Sequence, residues 1–202
     1  FWIGAGSRDE PDDREGVSHF IEHLLFKGTR SYDAQQIAET FDGLGGELNA
    51  ATSREHTVVY ARVPDAHLAT ALEVMTDMVF APTFAELDSE REVVLEEIAM
   101  IEDTPPELVH DLFTETVFGD HPLGRPVLGP EDHLRTVTRE AIVGFRERRW
   151  SGRRGGAFIV GNVEHVPENG AAGELLGRFP ALPAPESYEP APTLKAERAV
   201  EQ

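Results

Sequence analysis

The segment GVSHFIEHLLFKGT, residues 16–29, decides the fold of this chain. Apolar residues recur at helical spacing from Val17 to Phe26, and Lys27 followed by Gly28 is typical of a helix C-terminus. We therefore predict a helix over residues 17–26. One arc of its helical wheel consists of Phe20, Ile21, Leu24 and Leu25. That arc is expected to pack against a core, which leaves the opposite arc for chemistry.

The polar arc of this helix carries two histidines and a glutamate. His19 and His23 are about one helical turn apart, so both imidazoles can face one ion from the same side of the helix. Glu22 lies beside them on the wheel. Two helical histidines alone are commonly surface or partly buried side chains, but the intervening Glu favours a metal centre. A catalytic zinc site commonly takes three protein ligands and leaves a position for water, so a third ligand is expected elsewhere.

A second helix, predicted over residues 86–103, offers that ligand. Its apolar stripe consists of Leu87, Val94, Ile98 and Ile101. Glu90 and Glu97 fall beside the stripe, and the opposite side carries Glu92, Glu96 and Asp103. A carboxylate near a core costs several kcal/mol unless it is paired or bound to a metal. One of the two inward acids can therefore bind the ion while the other supports the site, and the alternative for each is an ion pair with Arg or Lys.

The remaining sequence alternates helices with short strands. The predicted strands are Phe1 to Ile3, the hairpin of Glu47 to Thr52 with His56 to Val63, and a buried strand at Ala157 to Val160. The further predicted helices are Asp33 to Leu44, a helix capped by Asp65 that runs through Val79, Leu108 to Phe118, and Glu131 to Arg148. The pattern predicts an α+β fold, a two-layer α/β sandwich whose mostly antiparallel sheet has helices packed on one face.

We expect one domain over residues 1–180, with its first strand truncated. Prolines crowd the sequence after Phe179, which is typical of an extended linker. Residues 181–202 are therefore predicted to lead toward a second half of the protein.

Composition narrows the possible partners and ligands. The formal net charge is −19, from 18 basic and 37 acidic residues, so nucleic acid would be repelled. Cysteine is absent, so any metal must bind His, Asp or Glu. No apolar run reaches the ~18 residues that span a bilayer, so no membrane insertion is expected. We expect a cytoplasmic location of bacterial type, with the mitochondrial matrix as the alternative.

Four motifs together carry a family resemblance. They are GVSHFIEHLLFKGT (16–29), GGELNAAT (45–52), EREVVLEEI (90–98) and HPLGRPVLG (121–129). The HFIEH segment matches the inverted zinc-protease motif H-x-x-E-H. Across roughly residues 1–165 the chain resembles the N-terminal catalytic half of the pitrilysin and mitochondrial-processing-peptidase family.

The resemblance implies a role for each site residue. It makes His19, His23 and Glu97 the ligands of one zinc ion per catalytic half, with Glu90 as a supporting neighbour. It implies that Glu22 is the general base, so that a zinc-bound water of pKa ~7 attacks the peptide carbonyl. The expected function is therefore that of a zinc-dependent endopeptidase.

The resemblance also implies a substrate and a partner. An extended peptide, from a presequence or an unfolded polypeptide, would add to an edge strand near Asn49 and Ala50. Without the resemblance, Asn49 could simply end strand pairing. A second homologous half, in the same chain or as a partner subunit of a dimer, would close over the first.

Two other functions compete with this interpretation. S-ribosylhomocysteine lyases also use an HxxEH helix, but their third metal ligand is a Cys, which this chain lacks. The family further includes non-catalytic partner subunits, which typically lose the motif residues that are present here. The other histidines are interpreted as structural or surface residues; they are His56, His67, His110, His121, His133 and His165.

Overall fold

The computed structural model describes residues 1–150 and 154–163. Within these residues, four strands form an antiparallel sheet in the order β2-β3-β1-β4. The strands are β1 (Trp2–Ile3), β2 (Glu47–Thr52), β3 (Thr57–Arg62) and β4 (Gly155–Gly156). Helices combine with this sheet, which confirms the predicted α+β class. The proposed linker over residues 181–202 and His165 lie outside the described residues.

The helices mostly follow the predicted positions. They are α1 (Val17–Leu25), α2 (Ala34–Gly43), α3 (Leu68–Phe80), α4 (Leu87–Glu102), α5 (Pro105–Phe118), α6 (Glu131–Thr136) and α7 (Arg139–Arg149). The N-cap expected at Asp33 is confirmed, because its Oδ1 accepts a hydrogen bond of 2.8 Å from the Gln36 N–H. The Gln36 side chain in turn accepts from the Asp33 N–H at 2.9 Å, which completes a capping box.

Three of the predicted helices differ from the structure by more than one residue at a boundary. The single helix expected over residues 131–148 is two helices, because Val137 is extended and the Thr138 side chain caps α7 by accepting from the Ala141 N–H. Asp65 does not cap α3; it begins a 3-10 turn, and α3 starts at Leu68. Pro105 starts α5 three residues earlier than expected. Proline is tolerated there because the N–H groups of a first helical turn have no acceptor within the helix, so the N–H that proline lacks is not needed.

The predicted buried strand at residues 157–160 is wrong. Strand β4 lies just before it, where Gly155 and Gly156 pair with Ile3 and Trp2. The apolar run that follows lies outside the described strands. Phe158 is 74% exposed as a result. The Arg154 guanidinium fixes this register through a buried ion pair of 2.8 Å with Asp9.

Helix α1 lies at the centre of the packing. Its predicted apolar arc is fully buried, since Phe20, Ile21, Leu24 and Leu25 all have 0% exposure. It contacts β2, α4 and α7. The buried stripe of α4, Val94 and Ile98, belongs to the same hydrophobic core. The polar arc of α1 therefore faces the acidic edge of α4.

A glycine at the start of α1 is required by the packing. Gly16 has a φ of +90°, and a Cβ there would lie 2.1 Å from the carbonyl oxygen of Leu128. We expect Gly16→Ala to lower the free energy of unfolding by at least about 1–3 kcal/mol, measured by urea denaturation. The control is Gly43→Ala, since a Cβ at Gly43 meets nothing within 4 Å. An equal, small effect of both substitutions would contradict this packing.

Candidate metal centre

Helices α1 and α4 bring two imidazoles and a carboxylate together. The Nε2 atom of His23 lies 3.3 Å from Oε2 of Glu97, and Nε2 of His19 lies 3.8 Å from the same oxygen. One ligand atom from each residue lies within 4.8 Å of the others. Among the residues that the structure describes, this is the one group of three or more metal-binding side chains. The apolar arcs of the two helices hold it in place, since both belong to the core.

The protonation of His19 and Glu97 suits metal binding. Burial, followed by the neighbouring charge of His23, lowers the pKa of His19 to about 4, so its imidazole is neutral at pH 7. The hydrogen bond with His23 lowers the pKa of Glu97, which keeps its carboxylate ionised. Burial lowers the pKa of His23, but hydrogen bonds with Glu97 and Glu90 outweigh burial and raise it above the usual value. A divalent cation bound at this site would replace the proton that the raised pKa favours on the His23 imidazole.

Glu90 orients one of the two imidazoles. Its Oε1 lies 2.9 Å from Nδ1 of His23, and the residue is only 4% exposed. When Nδ1–H donates to this carboxylate, Nε2 carries the lone pair and faces Glu97. The other Glu90 oxygen lies 2.6 Å from Nζ of Lys27, so the buried acid is also paired with a cation. The ion pair with Lys that the sequence offered for Glu90 is therefore present, and its support of a metal site stays a prediction.

Glu22 lies beside the three metal-binding side chains, and one of its carboxylate oxygens accepts no hydrogen bond from the described residues. Burial raises the pKa of its carboxyl, and hydrogen bonds with Thr52 of β2 act in the opposite direction. Its Oε2 is buried and has no hydrogen-bond partner in the described part of the chain. A carboxylate with a raised pKa and a free oxygen can accept a proton from a water bound nearby.

The donor set fits zinc. Two imidazole nitrogens and one carboxylate oxygen are the protein ligands of many catalytic zinc sites, which leave a position open for water. The hydrogen bond from His23 to Glu90 matches the carboxylate–histidine pairing that accompanies zinc ligands. Glu97 is partly exposed, with 31% of its side chain accessible, so the site opens to solvent on the side of α4.

Two contributors were missed in the sequence. Lys27 was interpreted only as a helix end, although it lies four residues after His23 and pairs with Glu90. Its i, i+4 spacing could have indicated a cation on the metal-binding arc. Thr52 bonds to Glu22. Its position at the end of β2 gave no signal, because which helix residue faces a strand depends on tertiary packing.

The predicted substrate residues lie on an edge strand. In the described sheet β2 pairs only with β3. Asn49 is exposed and Ala50 is 8% exposed, and the Asn49 Oδ1 accepts a hydrogen bond of 2.8 Å from the Ala50 N–H. The edge position is therefore confirmed, and contact of these two residues with a substrate stays a prediction.

Comparisons with known proteins agree on one family. A family model described as Insulinase (Peptidase family M16) matches residues 1–131. A protein of Bacillus subtilis named an uncharacterized zinc protease, YmxG, is 40% identical over 203 residues, which cover 97% of this chain and 50% of the relative. An uncharacterized zinc protease of Mycobacterium leprae is 45% identical over 166 residues, which cover 81% of this chain and 37% of the relative.

A solved structure gives the same result. The crystal structure of pitrilysin superimposes with a TM-score of 0.80 at 26% identity, over 95% of this chain and 22% of pitrilysin. The chain thus spans half or less of the length of the relatives that it matches. No helix in the described residues is long and apolar enough to cross a membrane.

Proposed function

The chain belongs to the insulinase family of peptidases, peptidase family M16, and on that premise we propose that it is the catalytic half of a zinc-dependent endopeptidase. The observation that carries the proposal is the convergence of His19, His23 and Glu97, with ligand atoms within 4.8 Å of one another. The names of the sequence relatives, zinc proteases, support the choice of metal and reaction.

Each side chain has a distinct role in the proposed reaction. His19, His23 and Glu97 hold one zinc ion. Zinc in such a site acts as a Lewis acid and lowers the pKa of bound water toward ~7. Glu22 accepts the proton of the attacking water, and its raised pKa brings the carboxyl closer to the working pH of a general base. No covalent bond between substrate and enzyme is needed.

The hydrogen bonds between Glu22 and Thr52 link catalysis to the substrate strand. Thr52 is the last residue of β2, and Asn49 and Ala50 precede it on the same strand. A peptide added to the free edge of β2 would therefore run past the proposed base. We infer that the substrate is an unstructured peptide or presequence, bound in extended form.

A second homologous half is proposed to complete the enzyme. The chain spans half or less of the length of its zinc-protease relatives, which leaves room in them for another half. In this chain the equivalent half would follow on the same polypeptide or come from a partner subunit. The competing function, a non-catalytic partner subunit, is disfavoured because the metal-binding group and Glu22 are all present.

Metal analysis and hydrolysis together test the proposal. The purified chain is expected to hold one equivalent of zinc, and to cleave an unstructured peptide when the second half is supplied. Removal of zinc with a chelator should abolish cleavage, and added zinc should restore it. A chain that holds no zinc after loading, or a zinc-loaded complex that cleaves no peptide, would contradict the assignment.

Loss of Glu90, the hydrogen-bond partner of His23, should weaken zinc binding although no proposed zinc ligand is removed. Glu90→Ala is expected to lower zinc affinity about 10–100-fold, because the Nδ1–H of His23 loses its acceptor. Affinity is measured by competition with a chromophoric chelator. The control is Glu92→Ala, an exposed acid on the same helix, which should bind zinc like the wild type. Equal affinities of both variants would show that Glu90 does not support the site.

A further inference from the structure

The N-terminus of α1 lacks a local cap. The N-cap residue is Gly16, which has no side chain, and no side-chain cap bond is present there. A larger residue is excluded, because a Cβ at Gly16 would lie 2.1 Å from the carbonyl oxygen of Leu128. The backbone N–H groups of a first helical turn have no partner within the helix. The first turn of α1 therefore needs an acceptor from elsewhere.

Glu10 supplies that acceptor from outside the helix. Its Oε2 accepts a hydrogen bond of 2.7 Å from the Gly16 N–H, and its Oε1 accepts one of 2.7 Å from the Ser18 N–H. Glu10 is 5% exposed. Both carboxylate oxygens are thus used on the first turn of the helix that carries the metal ligands.

The segment 121–129 holds Glu10 in place. The Arg125 guanidinium donates a hydrogen bond of 2.6 Å to the carbonyl oxygen of Glu10. The same guanidinium forms ion pairs with Asp12 and Glu15. The backbone of Gly129 packs directly on Glu15, since a Cβ at Gly129 would lie 2.4 Å from the Glu15 carbonyl carbon. The motif HPLGRPVLG, which the proposed reaction does not use, thereby fixes the loop that carries Glu10.

The two histidines differ in how they are held. Nδ1 of His23 is held by Glu90 at 2.9 Å. Nδ1 of His19 is buried and has no hydrogen-bond partner in the described ranges 1–150 and 154–163. The orientation of the His19 ring therefore depends on its packing and on the backbone of the first turn. Ser18 directly precedes His19, and its N–H donates one of the two hydrogen bonds that Glu10 accepts.

We propose that Glu10 is a positioning residue for the metal centre, whose carboxylate places His19 by holding the backbone of Gly16 and Ser18. This inference rests on the proposed zinc site. Burial raises the pKa of Glu10 to about 8, whereas the two backbone donors favour the ionised form. In either protonation state, a Gln at this position would present an amide nitrogen to one of the two N–H donors and lose that bond.

Zinc affinity and thermal stability of Glu10→Gln test the proposal. We expect the metal-free variant to fold and to bind zinc about 10-fold or more weakly than the wild type, by chelator competition. The matched control is Asp9→Asn, the neighbouring buried acid, which pairs with Arg154 and not with α1. This control should lower the melting temperature of the metal-free chain and leave zinc affinity unchanged.

The outcomes separate this inference from the proposed function. Zinc affinity of Glu10→Gln equal to that of the wild type would overturn the positioning role alone, whereas a wild-type chain that binds no zinc would overturn both. If Glu10→Gln does not fold, Glu10→Asp, which keeps the acid but shortens its reach, is measured instead. Unchanged zinc affinity in that variant, or failure of both variants to fold where Asp9→Asn folds, would assign Glu10 to folding and overturn the proposal.

Discussion

Glu22→Gln is expected to lower kcat/KM for an unstructured peptide by about 10²–10⁴-fold while zinc stays bound. The amide has the same shape as the carboxyl and can keep a hydrogen bond with Thr52, but it cannot accept a proton from water. The metal ligands His19, His23 and Glu97 are untouched. The substitution therefore separates proton transfer from metal binding.

The measurement compares cleavage and zinc content of the same preparations, with the proposed second half present in each. Zinc content and the circular dichroism spectrum of Glu22→Gln should match those of the wild type. Wild-type cleavage by a zinc-loaded Glu22→Gln variant would remove Glu22 from the role of base. Loss of zinc from this variant would instead place Glu22 among the ligands.

Glu97→Ala is expected to reduce zinc affinity strongly. The reduction should exceed the ~10–100-fold that follows when a metal ligand loses only its hydrogen-bond partner. The carboxylate of Glu97 is the group that faces Nε2 of both histidines, at 3.3 Å from His23 and 3.8 Å from His19. Without it two imidazoles remain, one fewer than the three protein ligands that are usual in catalytic zinc sites.

The neighbouring acid provides the control for this substitution. Glu96 lies on the same helix but is exposed, so Glu96→Ala should bind zinc with wild-type affinity. Both affinities are measured by chelator competition on metal-free chains of verified fold. Equal zinc affinities of Glu97→Ala and Glu96→Ala would show that α4 does not contribute the third ligand.

Periodicity explains why the centre of the site could be predicted from the sequence. The spacing of His19, Glu22 and His23 follows from one helix, and the inward position of Glu97 follows from the apolar stripe of another. Both inferences are local, since they need only the helical repeat of 3.6 residues. The buried Val94 and Ile98 confirm the stripe that selected Glu97 over Glu96.

The parts that were missed depend on contacts between distant residues. Glu10 reaches the first turn of α1 because Arg125, far along the chain, holds its loop. The break between α6 and α7 occurs where the Arg91 guanidinium donates to the Val137 carbonyl oxygen at 3.0 Å. The apolar run after Gly156 was interpreted as a strand from its composition, but in the described residues the pairing with β1 is confined to Gly155 and Gly156. Contacts between distant residues leave no periodic signal.

Diffraction from a zinc-loaded crystal, measured on both sides of the zinc absorption edge, tests the central claim most directly. An anomalous peak of one zinc ion is expected between the imidazoles of His19 and His23 and the carboxylate of Glu97. A peak located elsewhere on the chain, or density for zinc that excludes Glu97 from its ligands, would contradict the account.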